Sequence, residues 1–118
     1  MKIKYLIISL FLIGAIFSAC EYTPFEAEIV EFEGTVDFEQ DVEPIFTDAG
    51  CISCHNGGLS PDLTIGNAYQ SLTSDPKYTD LDDPNNIYDK AFGGHYKNYT
   101  SEQAGTVLAW IEQYNEEN

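Results

Sequence analysis

Cys51-Ile52-Ser53-Cys54-His55 decides the reading of this chain. Two thiols separated by two residues can add across the vinyl groups of haem, reaching adjacent pyrrole rings from one turn of backbone. A histidine directly after the second thiol then swings its imidazole beneath the iron. The spacing predicts one covalently attached haem c, with Cys51 and Cys54 forming the thioethers and His55 as proximal iron ligand. The same residues suit a Cys-x-x-Cys disulfide, a thioredoxin-like redox pair or half of a zinc site. Zinc would need two further Cys or His ligands at suitable spacing, and His95 is the only other histidine.

The start of the chain speaks to compartment. Lys2 and Lys4 precede an apolar run from Tyr5 to Phe17, and small residues follow it up to Cys20, the arrangement of a secretory signal. The run is shorter than the about 20 residues that a membrane span needs. Phe17-Ser18-Ala19-Cys20 resembles a bacterial lipobox, with phenylalanine where leucine is commoner. The expectation is a lipoprotein signal peptide over residues 1–19 and a lipid on Cys20. An ordinary signal peptide cut nearby would instead leave Cys20 as an odd thiol. On the lipoprotein reading each of the 3 cysteines has a separate role and none is left for a disulfide. Bacterial haem attachment takes place outside the cytoplasmic membrane, so the export signal and the haem motif predict the same location independently.

Charge bounds the partners. Once residues 1–19 are removed, all 20 acidic residues remain against Lys77, Lys90 and Lys97, a formal charge of −17. Such a surface excludes nucleic acid and repels anionic lipid headgroups, while it steers redox protein partners with basic patches. Solubility and halotolerance explain the same composition equally well. The residues after the acidic linker at 20–36 make one small domain, 37–118, and domains of about 80 residues seldom hold a core without a staple, which covalent haem would supply.

Along the mature chain, residues 21–36 are Glu-rich with Pro24 and Gly34 and read as a tether of about 50 Å when extended at roughly 3.3 Å per residue, with a short strand possible within 27–32. Val42, Ile45, Phe46 and Ala49 form one apolar stripe on a helix over 38–48, with Pro44 near its first turn and Gly50 as its cap. Asn56-Gly57-Gly58 is a turn, and a backbone carbonyl within 59–61 is placed to accept the second N–H of His55. A short helix over 67–72 should bury Tyr69 and Leu72, and 73–83 reads as loop. Asp83 as N-cap with Pro84 behind it starts a helix running to Phe92, which Gly93 and Gly94 stop. Thr100-Ser101-Glu102-Gln103 is a capping box for a last helix. Its apolar face is Ala104, Val107, Leu108, Ile111 and Tyr114, flanked by Trp110. This helix is expected to cross the first.

Asp41-Val42-Glu43-Pro44-Ile45-Phe46, the Cys51–His55 motif, Pro61-Asp62-Leu63 and Ala109-Trp110-Ile111 together resemble the small single-haem cytochrome c domains of exported proteins in Bacteroidetes and related bacteria. The likeness covers residues 36–115. It implies an all-α, compact cytochrome c-like fold around one haem, electron transfer as the activity, and His55 as proximal ligand. It also implies anchorage in the outer membrane, facing periplasm or cell surface, a preference that Glu21 after Cys20 supports.

Many relatives take the sixth iron ligand from a methionine in the loop before the last helix. Here Met1 is the only methionine and leaves with the signal peptide. His95 stands in the matching loop and is the expected replacement, with an exposed loop histidine over a five-coordinate or water-ligated iron as the alternative. Lys97, Tyr96 and Tyr99 are poorer ligands, and the two tyrosines are expected to pack on the porphyrin rim. The function expected is a lipid-anchored monohaem cytochrome, not an enzyme by itself, passing single electrons between protein partners or to an extracellular acceptor. Small-ligand binding or catalysis at an open iron, or an interaction module stapled by haem, are the alternatives.

Overall fold

A computed structural model describes residues 29–93, 95, 96 and 98–118. The signal segment, Cys20 and the first part of the tether lie outside the described residues, as do Gly94 and Lys97. Every regular element among the described residues is helical and none is a strand, as an all-α fold requires. The strand considered within 27–32 is absent from its described part, 29–32. Among these residues no helix is long and apolar enough to cross a membrane.

The first helical run covers the expected 38–48 in two windings. Asp37 caps it by accepting the Gln40 N–H at 3.0 Å. A widened turn, Phe38–Val42, carries the Glu43 N–H back to the Phe38 carbonyl, and α1, Glu43–Asp48, follows. Pro44 accounts for the widening. Its ring lacks an N–H and needs the room that the Gln40 carbonyl would take in a regular α-turn. Val42, Ile45 and Phe46 are buried as the stripe predicts. The cap is Ala49, one position before the expected Gly50, which follows it in the left-handed region at φ 74°.

α2, Ala68–Thr73, buries Ala68 and Leu72. Tyr69, expected inside, is 48% exposed, and its ring leans on Phe38 at 5.2 Å from outside the core. The stretch read as loop contains a tight turn, Pro76–Tyr78, that buries Tyr78. α3, Ile87–Phe92, begins later than Asp83-Pro84 suggested. Asn86 is the true cap. Its Oδ1 accepts the Asp89 N–H at 2.8 Å, while its Nδ2 donates to the Asp83 carbonyl and the Asp89 carboxylate, each at 2.8 Å. An asparagine amide can accept and donate at once, so it closes this buried corner where the Asp83 carboxylate cannot. Asp83 serves the preceding turn, accepting the Asn85 N–H at 2.8 Å.

α4, Ser101–Glu117, has both bonds of the capping box: the Gln103 N–H to Thr100 Oγ1 at 3.2 Å and the Thr100 N–H to Gln103 Oε1 at 3.0 Å. It packs against the first helical turn, as expected, and against α3. Ala104, Val107 and Ile111 are buried, but the face is rotated from the one read in the sequence. Trp110 is 3% exposed and Leu108 only half-buried. The indole meets Phe38 at 4.7 Å between ring centres, and Tyr114 covers it at 5.9 Å. An aromatic ring removes more apolar area from water than a leucine, so the helix rolls to bury Trp110. Gln113 clamps the chain entry by accepting the Val36 N–H at 3.0 Å and donating to the Val36 carbonyl at 3.2 Å. Gly105 lies under the Val30 carbonyl, where a Cβ would collide. The described end of the tether therefore runs along α4.

Trp110→Ala should cost about 3–5 kcal/mol of stability and Leu108→Ala about 1 kcal/mol, read from chemical denaturation of the mature protein. Equal losses, or the reverse order, would return Leu108 to the buried face.

Candidate functional site

Gly50 turns the chain out of α1, and Cys51–Ser53 forms a single tight turn behind it. The Cys51 carbonyl accepts the N–H groups of both Cys54, at 3.2 Å, and His55, at 3.0 Å. Ser53 Oγ donates to the Gly50 carbonyl at 2.7 Å, fastening the turn to the residue that launches it. Cys51 is buried and Cys54 is exposed.

His55 is held from two directions. Its ring Nδ1 lies 2.9 Å from the Pro61 carbonyl, within the 59–61 stretch expected to supply such a group. A carbonyl can only accept, so Nδ1 carries the proton and Nε2 presents its lone pair. The Leu63 N–H donates to the His55 carbonyl at 2.9 Å, closing the loop on itself. Beyond it, Asp62 accepts from Thr64 Oγ1 at 2.7 Å and from the Thr64 N–H at 3.0 Å, and these bonds hold its carboxyl below the ordinary value. Glu43, buried on α1, accepts the Gly66 N–H at 2.6 Å, tying this loop to the first helix.

His95 comes from the opposite side. Its N–H donates to the Lys90 carbonyl at 3.2 Å, and the Tyr99 N–H donates to the Ala91 carbonyl at 3.2 Å. With its amide turned to satisfy both carbonyls, Asn98 donates to His95 and Ala91 at 3.1 Å each. The His95 segment thus hangs from the C-terminal end of α3. Its imidazole is exposed, and its ring centre lies 6.2 Å from that of His55.

Between the two histidines lies a cavity of about 580 Å³. Cys51, Cys54 and His55, Leu59, Pro61 and Leu63, Ile87 and Ala91 of α3, and His95 and Tyr99 all line it. The volume lies within the roughly 300–1,000 Å³ of small-molecule and cofactor sites. All four residues singled out in the sequence around this site therefore meet at one place. Of the tyrosines expected on the rim, Tyr99 is buried against the cavity. Tyr96 is 97% exposed at its mouth, its ring 5.9 Å from His95. The Tyr99 hydroxyl has no hydrogen-bond partner among the described residues, and burial, then the neighbouring Cys51, holds its pKa well above the usual tyrosine value.

These residues suit haem better than a bare ion. Among the described residues no three His, Cys, Asp or Glu side chains converge closely enough to hold a metal by themselves. Two metal–nitrogen bonds of about 2.1 Å, each followed by roughly 1.1 Å to a ring centre, separate two imidazoles by about 6.4 Å. The observed 6.2 Å is close to that value. Two thiols and two imidazoles lining one apolar cavity make up a set that a covalently attached metal macrocycle would satisfy. Lys77, Lys90 and Tyr78 also line the cavity and were not singled out from sequence; the rarity of lysine in so acidic a chain was the available signal.

Over 91 residues the chain is 32% identical to hydrazine synthase subunit alpha of Kuenenia stuttgartiensis. The match takes in 74% of this chain and 11% of that subunit, so the chain spans about a tenth of the relative's length. No family model matches the chain, and no solved structure matches it.

Proposed function

We propose that this protein is an exported, lipid-anchored monohaem c-type cytochrome that carries single electrons between protein partners or to an extracellular acceptor. The observation that supports it most is the convergence of Cys51, Cys54, His55 and His95 on one apolar cavity, with the imidazoles 6.2 Å apart. Haem attached there supplies a one-electron Fe(II)/Fe(III) couple. The chain supplies everything that positions it. Cys51 and Cys54 fix one edge through thioethers, and the Pro61 carbonyl sets the His55 tautomer and strengthens Nε2 as a donor. His95 offers the second imidazole, and Leu63 and Ile87 give the cavity buried apolar lining. Two imidazoles lack the thioether that favours Fe(II), so the potential lies below that of comparable His/Met cytochromes.

The named relative is a synthase subunit, but its match here is domain-sized, and we read the shared segment as a common module rather than a common activity. In this reading the protein is not an enzyme by itself, and it belongs with the small exported cytochrome c domains of Bacteroidetes. The lipid on Cys20 and the acidic residues that follow keep the domain beside an outer membrane, where its −17 charge favours redox partners with basic patches. A second reading, small-ligand binding or catalysis at an open iron, is favoured by the exposure of His95 on its short segment.

Haem should remain on the denatured polypeptide through acid–acetone extraction when the protein is made with a cytochrome c maturation system, and Cys51→Ala with Cys54→Ala should abolish that attachment. Haem that leaves wild-type chain completely rules the thioethers out. His95→Ala should convert a low-spin ferric spectrum towards high spin and admit carbon monoxide while covalent haem stays in place. A wild type that is already high-spin would instead support the open-site reading. Mature protein should begin at an acylated Cys20 and partition into detergent, with Cys20→Ser releasing the domain; an unmodified Cys20 by intact mass would remove the anchor.

A further inference from the structure

Gly105 stands buried inside α4, where glycine weakens a helix relative to alanine. A glycine there calls for a packing reason, and the chain ahead of the first helix supplies one. The Val30 carbonyl lies so close to Gly105 that any Cβ would strike it. Further on, Gln113 satisfies both backbone polar groups of Val36, which is 4% exposed. Between these two points Phe32 packs against the core.

Val30 lies at Gly105 and Val36 at Gln113, so this segment runs in the same direction as α4. At 1.5 Å per residue the helix advances about 12 Å between its two contact points, whereas the segment would reach about 20 Å if extended at roughly 3.3 Å per residue. Gly34, at φ 112°, is where the backbone can fold in the difference. Half of the segment read as a tether is thus a strap on the domain, and the chain enters at the N-terminal end of α4.

That end differs in chemistry from the other. Residues 90–101, which carry His95 and lead into α4, contain none of the 20 acidic residues and hold Lys90 and Lys97, two of the three lysines of the mature chain. Tyr96 among them is 97% exposed. Towards the opposite end of α4, Glu112, Glu116 and Glu117 are all exposed. Lysine and an exposed tyrosine suit the headgroup layer of a bilayer, and clustered carboxylates are repelled by it when it is anionic.

We infer that the strap at 29–36 sets the orientation of the domain on its membrane: the anchored chain arrives at the N-terminal end of α4, the His95–Tyr96 end lies against the lipid headgroups, and the end with Glu116 and Glu117 points away. This rests on the lipid-anchored reading above. Cys20 stands nine residues before Ile29, a reach of at most about 30 Å, so docking the strap also draws the domain in from the about 50 Å that an undocked tether would allow.

The test places acylated holoprotein on vesicles of phosphatidylethanolamine and phosphatidylglycerol with a small fraction of chelating headgroup lipid. A nitroxide is attached through Glu102→Cys or Glu117→Cys, exposed positions at the two ends of α4 that lose the same charge. With Cys51 and Cys54 in thioethers and Cys20 acylated, only the introduced thiol takes the label. The two labels stand about 22 Å apart along the helix. Nickel on the chelating lipid, measured against zinc, should therefore speed the relaxation of the Glu102→Cys label more than that of the Glu117→Cys label. Gly105→Val, which displaces Val30, should erase that difference. Gln113→Leu, which unclasps Val36 without a collision, should reduce it and quicken hydrogen exchange at the Val36 amide about fivefold, the worth of one hydrogen bond, while the haem spectrum stays as in wild type. Equal relaxation at the two ends, the reverse order, or an unchanged difference in both strap variants overturns the inference. Protein that stays off the vesicles and shows an unmodified Cys20 by intact mass overturns the anchor reading beneath it.

Discussion

The direction in which the chain leaves α1 governs the site, and one left-handed residue sets it. With φ at 74°, Gly50 folds the backbone back so that the Cys51 carbonyl can gather the N–H groups of Cys54 and His55 into one turn. A side chain at that φ costs about 1 kcal/mol or more in strain, so the position suits glycine. From there the geometry propagates without further choice. His55 reaches Pro61, Leu63 reaches back to His55, and Glu43 pins the far end of the loop to the helix where the run began.

The consequence for packing is a domain built around an apolar space. Phe38, Phe46, Leu72, Trp110 and Ile111 form the dense core, while Cys51, Leu63, Ile87 and Tyr99 belong to that core and also line the cavity. In so small a chain this couples stability to occupancy: a covalently attached body in the cavity would serve as cofactor and as much of the core.

What the sequence made legible was whatever depended on local chemistry. The Cys51–His55 spacing, the Thr100/Gln103 capping box and the helical stripe at Val42, Ile45 and Phe46 each rest on interactions within one or two turns, and they reappear in the structure. What it hid depended on neighbours far along the chain. Trp110 is inside because Phe38 is there to receive it, a contact that helical period alone cannot weigh against Leu108. Asn86 outranks Asp83 as a cap because the corner is buried and needs donors as well as an acceptor. The widened turn before Pro44 follows from a clash one turn back, and Lys77 and Lys90 line one cavity only because the Pro76–Tyr78 turn and α3 both border it.

The two imidazoles are mounted on supports of unequal stiffness. His55 sits in a closed loop whose ends bond to each other and whose cysteines would be stitched to the macrocycle, so it cannot withdraw without undoing the turn at Gly50. His95 hangs from the last carbonyls of α3 on an exposed segment, beside a tyrosine that touches little else. Opening on that side would break only local bonds, chiefly those to the Lys90 and Ala91 carbonyls. One face of the iron would thus be permanent and the other exchangeable, and a partner docking over Tyr96 would bear directly on the exchangeable one.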